Sequence, residues 1–98
     1  MKFQLEAPFQ VSEPMQALIK EKLDKLENFF DRITSAQVYL KDDINRIHHK
    51  ENRTVEMRVE VPGNSLFASD SAETFEKAIA ETAHKMERQL KKYKAQIR

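Results

Sequence analysis

Two groups of residues in this 98-residue chain have the types and spacing to do chemistry. Asp42-Asp43 and His48-His49 bring carboxylates and imidazoles into one short stretch, the donor set of a metal site or an acid–base pair. From His84 to Arg98 the chain carries Lys85, Arg88, Lys91, Lys92, Lys94 and Arg98 against the single acid Glu87. That is +5 over fifteen residues of a chain whose total is +1, which leaves the remainder at −4. Polarisation of this kind says more than the total does. Clustered cations displace condensed counterions from phosphate, so the second group reads as a nucleic-acid footprint. The affinity of Lys and Arg for helix C-termini explains about two or three such cations, not six.

The first group reads instead as a solvated hairpin tip. Adjacent residues in a flexible loop point in different directions, whereas acid–base work needs fixed geometry. There is no glycine-rich phosphate loop, no nucleophile elbow and no HExxH. The absence of cysteine excludes disulfides and thiolate metal ligands and suits a reducing compartment. The chain is therefore expected to bind rather than catalyse, with no cofactor, metal or small-molecule substrate.

The elements that must position these groups follow from periodicity. Residues 2–9 alternate, with Phe3, Leu5 and Ala7 opposite Lys2, Gln4 and Glu6, as in a half-buried strand. Ser12 is a helix N-cap and Pro14 suits a first turn. Met15, Leu18, Ile19, Leu23, Leu26, Phe29 and Phe30 then recur at helical spacing, which predicts a helix over roughly 13–30. On its polar face Lys20–Asp24 and Glu21–Lys25 stand four apart and are expected to pair with each other. Ala36, Val38 and Leu40 mark a second strand, and residues 42–52 a polar loop or frayed hairpin end. Val55, Met57, Val59 and Val61 mark the clearest strand, and Pro62-Gly63-Asn64 a tight turn into a short fourth strand around Leu66 and Ala68. Ser69, Asp70 and Ser71 are candidate N-caps for a last helix from about 72.

The order β-α-β-β-β-α implies an α+β two-layer sandwich: a four-stranded mixed sheet with both helices on one face, and a single domain over residues 1–98. The first two strands, joined through a helix, should be parallel, and the last three an antiparallel meander.

In the last helix Phe75, Ile79, Ala83, Met86, Leu90, Tyr93 and Ile97 fall on one stripe at 100° per residue. Lys77, His84, Arg88, Lys91 and Arg98 lie near the opposite pole, with Lys85 and Lys92 beside them. Run to the chain end, this helix would reach about 40 Å, and its last turns would project beyond the sheet as a basic rod. The outer sheet face should display Gln4, Glu6, Tyr39, Lys41, Glu56, Arg58, Glu60 and Phe67. Tyr39 and Phe67 could stack on bases, but three glutamates repel phosphate and the ribonucleoprotein aromatic motif is absent. Phosphate recognition by the helices is the stronger expectation. No apolar run is long enough for a signal peptide or membrane span, so a cytoplasmic protein is expected, and Asn52-Arg53-Thr54 is read as a coincidental sequon.

The element order, Ile19-Lys20-Glu21-Lys22-Leu23-Asp24-Lys25-Leu26 and the closing Lys85-Met86-Glu87-Arg88-Gln89-Leu90-Lys91-Lys92-Tyr93-Lys94 resemble the ribosome hibernation-promoting factor and ribosome-associated inhibitor family. That family's last helix typically ends in Leu or similar, Glu, Arg, Gln, Leu, Lys, Lys; Met86 takes the first place here. The resemblance implies a double-stranded-RNA-binding-like fold on the small ribosomal subunit. It would sit in the channel used by mRNA and the A- and P-site tRNAs, blocking translation in stationary phase or starvation. It implies Arg88, Lys91, Lys92 and Lys94 as rRNA contacts, with Lys22 and Lys25 as weaker ones. Lys77 and Lys85 join them from the helix stripe. Some members carry a long C-terminal extension that pairs two ribosomes; ending at Arg98, this chain resembles the short type, and a monomer off the ribosome is expected. Two other readings stay open: another RNA-binding module, such as a ribosome-assembly factor or duplex-RNA binder, and a protein-interaction module for an acidic partner.

Overall fold

The computed structural model describes residues 1–45 and 50–97. Its elements are β1 (Lys2–Glu6), α1 (Glu13–Phe29), β2 (Ser35–Asn45), β3 (Lys50–Val61), β4 (Asn64–Ala72) and α2 (Phe75–Gln96). The sheet order is β1-β2-β3-β4, with β1 parallel to β2 and the other two pairs antiparallel. This is the expected two-layer arrangement.

Alternation sets the faces. Ala36, Val38, Leu40, Val55, Met57, Val59, Leu66 and Ala68 are buried, and their partners along each strand point away. The register stacks Val38 on Met57 and Met57 on Ala68, so apolar rows run unbroken across three strands. In the turn between β3 and β4, Gly63 has φ +76°, which a residue with a Cβ rarely adopts, while Pro62 presets the position before it.

The strands run farther than their apolar runs suggest. The expected loop over 42–52 holds a continuing ladder: Asp42 pairs with Arg53, Asp43 with Asn52, Ile44 with Glu51 and Asn45 with Lys50. Backbone hydrogen bonds close such a ladder without an apolar face, so polar residues conceal it. His48 and His49 lie outside the described residues. For the same reason β4 is nine residues long and not short, and Ser69, Asp70 and Ser71 sit in its ladder opposite Glu56, Val55 and Thr54. The cap of α2 is therefore Thr74, whose hydroxyl accepts the Lys77 N–H at 3.2 Å.

Helix α1 starts as expected. Ser12 Oγ accepts the Met15 N–H at 3.3 Å, and Pro14 occupies the first turn, where its missing donor costs nothing. It buries Ile19, Leu23 and Leu26. Among the described residues neither Lys20–Asp24 nor Glu21–Lys25 closes into an ion pair; the ion pair on this helix joins the Met1 amine to Glu27 at 3.7 Å. Exposed pairs of long side chains gain little from closing, and solvent wins here.

Helix α2 buries Phe75, Ala78, Ile79, Thr82, Ala83, Met86, Leu90 and Tyr93. Each fully buried Ile, Leu or Met contributes about 1.5–3 kcal/mol. Among the described residues Thr82 is the buried polar side chain of the core, and its hydroxyl donates to Val55 O at 3.4 Å. The helix measures about 33 Å and does not project as a rod. The Tyr93 hydroxyl donates to Pro62 O in the β3–β4 turn, and its ring meets Phe30 edge-on at 5.5 Å. The long β3–β4 hairpin covers α2 to within one turn of its end, and only beyond Tyr93 does the stripe fail: Ile97 is exposed rather than buried.

Met57 and Val59 are both fully buried in the middle strand. Replacing either by Asp strands a carboxylate in the core at a cost of several kcal/mol, comparable to the whole stability of such a domain. The cooperative thermal transition followed by circular dichroism should be lost in both variants, while Arg58→Asp on the outer face should retain it. An unshifted transition in Met57→Asp or Val59→Asp would show that the strand register is inverted.

Candidate nucleic-acid interface

With the apolar stripe of α2 committed to the sheet, the other side of the helix is what solvent meets. Lys77, His84, Arg88, Lys91, Lys92 and Lys94 are all exposed, as is Lys85. The five lysines and one arginine do not form a uniform field, however; they are divided by what their side chains already touch.

The side chains of Lys77, Arg88 and Lys92 make no hydrogen bond or ion pair among the described residues. Arg88 and Lys92 share a shallow groove of about 340 Å³ with Gln89 and Lys85. Lys85 is tied down: its ammonium donates to Ser69 O at 3.0 Å and sits 3.3 Å from the Asp70 carboxylate. The Ser71 N–H and, after it, Lys85 hold the Asp70 carboxyl below its ordinary value of 3.8, against an opposing push from partial burial.

Lys91 and Lys94 turn the other way, towards the end of α1. Lys94 lies 4.9 Å and Lys91 6.0 Å from the centroid of the Phe29 ring, within cation–π range. Lys94 also approaches Phe29 O at 3.4 Å. Arg32 joins Lys94 around a groove of about 490 Å³ at this end. Its isolated place after Asp31 gave no signal in the sequence. Between the helices, Lys22 and Lys25 of α1 meet His84 and Glu87 of α2 over small Ala80 and Ala83, lining a groove of about 270 Å³. Two residues expected only as weaker contacts are thus brought to the same side as the α2 cations. Arg98 lies outside the described residues.

The outer sheet face is different in kind. Lys41 pairs with Glu56 at 3.1 Å, Glu60 accepts from Ser65 and Glu6 from Gln4. Phe67 is half exposed there and Tyr39 partly so. Cations and acids balance on this side, so it offers phosphate no net attraction. No group of three or more metal-ligating side chains occurs among the described residues, and none of their helices is long and apolar enough to cross a membrane.

Residues 7–98 match the family described as sigma 54 modulation protein / S30EA ribosomal protein. The chain belongs to this family. It is 35% identical over 85 residues to a ribosome hibernation promoting factor of Pseudomonas putida, a stretch covering 87% of this chain and 78% of that one. It is 36% identical over 85 residues to a ribosome hibernation promotion factor of Deinococcus radiodurans, again over 87% of this chain but only 44% of the longer relative. Its fold is similar to that of a ribosomal subunit interface protein from Coxiella burnetii, with a TM-score of 0.83 and 26% identity over 97% of this chain and 99% of the other. The N-terminal domain of Thermus thermophilus Protein Y shares the fold at a TM-score of 0.79 and 19% identity, over 95% of this chain and 99% of that domain. The S30EA fold thus places α2 over the sheet with its basic side facing out.

Lys85→Ala should lower stability by at most about 1 kcal/mol, a few degrees in thermal midpoint, whereas Arg88→Ala should leave it unchanged. The Asp70 carboxyl is depressed in the folded state, so the stability it brings is present above the ordinary carboxylate value. It is lost as pH falls through the lowered folded value. The difference between wild type and Lys85→Ala should therefore narrow in acid, below about pH 4. Equal midpoints for the two proteins at pH 7 would return Lys85 to the unattached cations.

Proposed function

We propose that this chain is a ribosome hibernation factor that binds the rRNA of the small subunit through the outward side of α2 and blocks translation by occupancy. The site would be the channel used by mRNA and by the A- and P-site tRNAs, and the setting stationary phase or starvation in the cytoplasm. The observation that carries this reading is the exposed row of Lys77, Arg88, Lys91 and Lys92 on a helix whose opposite face is fully committed to the core. Membership of the S30EA family and relatives named as hibernation factors support the ribosome as the target.

The physical roles differ along the row. Arg88 and Lys92, holding no partner among the described residues, contact phosphate without first breaking a bond. Lys91 and Lys94 keep their charge while resting on Phe29, and Lys85 retains donors beyond those used on Ser69 and Asp70. Lys22 and Lys25 widen the charged side across the groove to α1. Contacts of this type read phosphate position and backbone shape rather than base identity. No proton transfer or covalent step is involved, so neither cofactor nor small-molecule substrate has a place in it. A ribosome-assembly factor or duplex-RNA binder could use the same side of α2; the hibernation-factor relatives favour the ribosome.

Reversing Arg88, Lys91 and Lys92 to Glu together should leave the fold intact, because all three side chains are exposed. Co-sedimentation with ribosomes and inhibition of translation in vitro should both fall to background. Lys91→Arg and Lys92→Arg should be mild, since backbone recognition depends on charge more than on donor geometry. Wild-type co-sedimentation by the folded triple-Glu protein would remove α2 from the interface.

A further inference from the structure

The two edges of the sheet are finished differently. The two-residue turn pairs Val61 with Asn64, and alternation then directs the backbone groups of Leu66, Ala68 and Asp70 towards β3 and those of Phe67 and Ser69 outwards. Both of those outward carbonyls are occupied from α2: Gln89 Nε2 donates to Phe67 O, and Lys85 Nζ to Ser69 O. The β4 edge is thereby closed to another strand.

The β1 edge has no such cover. The Lys2 N–H donates to Thr34 O at 3.1 Å, which fixes the alternation along this strand. Lys2, Gln4 and Glu6 face β2 with their backbone groups, while the N–H and C=O of Phe3 and Leu5 face away. Among the described residues nothing bonds those four groups. On the helix side of the same strand Phe3 remains 44% exposed, beside a half-buried Leu5.

We propose that this edge pairs antiparallel with β1 of a second copy about a two-fold axis through Gln4. The sequence Lys2-Phe3-Gln4-Leu5-Glu6 is complementary to its own reverse in that register. Phe3 falls opposite Leu5 of the second copy, and both are residues whose backbone groups point outwards, so each pair exchanges two hydrogen bonds. Their side chains meet on the helix side and cover the exposed Phe3. On the outer face Lys2 stands opposite Glu6 of the second copy, twice over, as an isologous contact requires. A shift of register by two residues sets Lys2 or Glu6 against Gln4 and loses both charge pairs. An edge lysine and a short strand ordinarily discourage pairing with foreign strands; here the lysine selects its own chain. The result is one continuous eight-stranded sheet, with α2 far from the seam and its basic side clear. This departs from the monomer expected from sequence and is independent of the ribosome.

The chain has no cysteine, so Gln4→Cys introduces a lone thiol on the axis. Opposed residues at such a position lie about 4.5 Å apart at Cα, within disulfide range. Under mild oxidation of the purified 98-residue protein without RNA, Gln4→Cys should form covalent dimers about tenfold or more faster than Glu76→Cys on exposed α2 or Lys2→Cys alone. In sedimentation equilibrium the wild-type mass should rise with concentration. Lys2→Glu should lose that rise, and Lys2→Glu/Glu6→Lys should regain it. A constant monomer mass up to millimolar protein, coupling of Gln4→Cys no faster than Glu76→Cys, or a double variant that fails to recover self-association overturns the proposal.

Discussion

Ile79, Thr82, Met86 and Leu90 are fully buried along one line of α2, and the burial of that line against β3 and β4 sets the rotation of the helix about its own axis. A turn of one residue position, about 100°, would drive Lys85 or Lys91 into the core at a cost no surface gain could offset. The direction of the basic side is therefore a consequence of packing rather than of any contact the cations make. Tyr93 completes the constraint: its hydroxyl on Pro62 O and its ring on Phe30 bind the end of α2 to the β3–β4 turn and to the close of α1. The same junction brings Phe29 under Lys91 and Lys94, so the position of those two charges depends on where α1 stops.

Side chains on α2 divide the labour between fold and surface. Lys85 and Gln89 spend their donors on the outward carbonyls of β4, holding the helix to the strand and closing that edge. Arg88 and Lys92, interleaved with them one turn along, spend none among the described residues. A basic helix of this design stays folded when its unattached cations are changed, which separates the requirements of binding from those of stability.

Much of this was legible in the sequence because it rests on periodicity. The alternation of Val55, Met57, Val59 and Val61 marked the middle strand, and the spacing from Phe75 to Tyr93 marked the buried side of α2. What periodicity cannot show is pairing that needs no apolar face: the ladder from Asp42 to Asn45, mostly polar, and the wholly polar Ser69 to Ser71 within β4 are both regular strand. Ser69, Asp70 and Ser71 look like caps in isolation, and only the register makes Thr74 the cap. Charge counting likewise treats Lys85, Arg88 and Lys94 alike. Distance tells them apart, since the partners Asp70 and Phe29 are supplied by distant parts of the chain.

The salt dependence of ribosome affinity tests the cation-led contact most directly, because each phosphate neutralised adds about 0.7–0.9 to the slope of log affinity against log salt. With about six contacts, affinity should fall on the order of a thousandfold between 50 and 200 mM salt. Arg88→Gln and Lys92→Gln should each reduce the slope by about one. A shallow slope, or one unchanged by removing those two charges, would contradict a contact made through the outward side of α2.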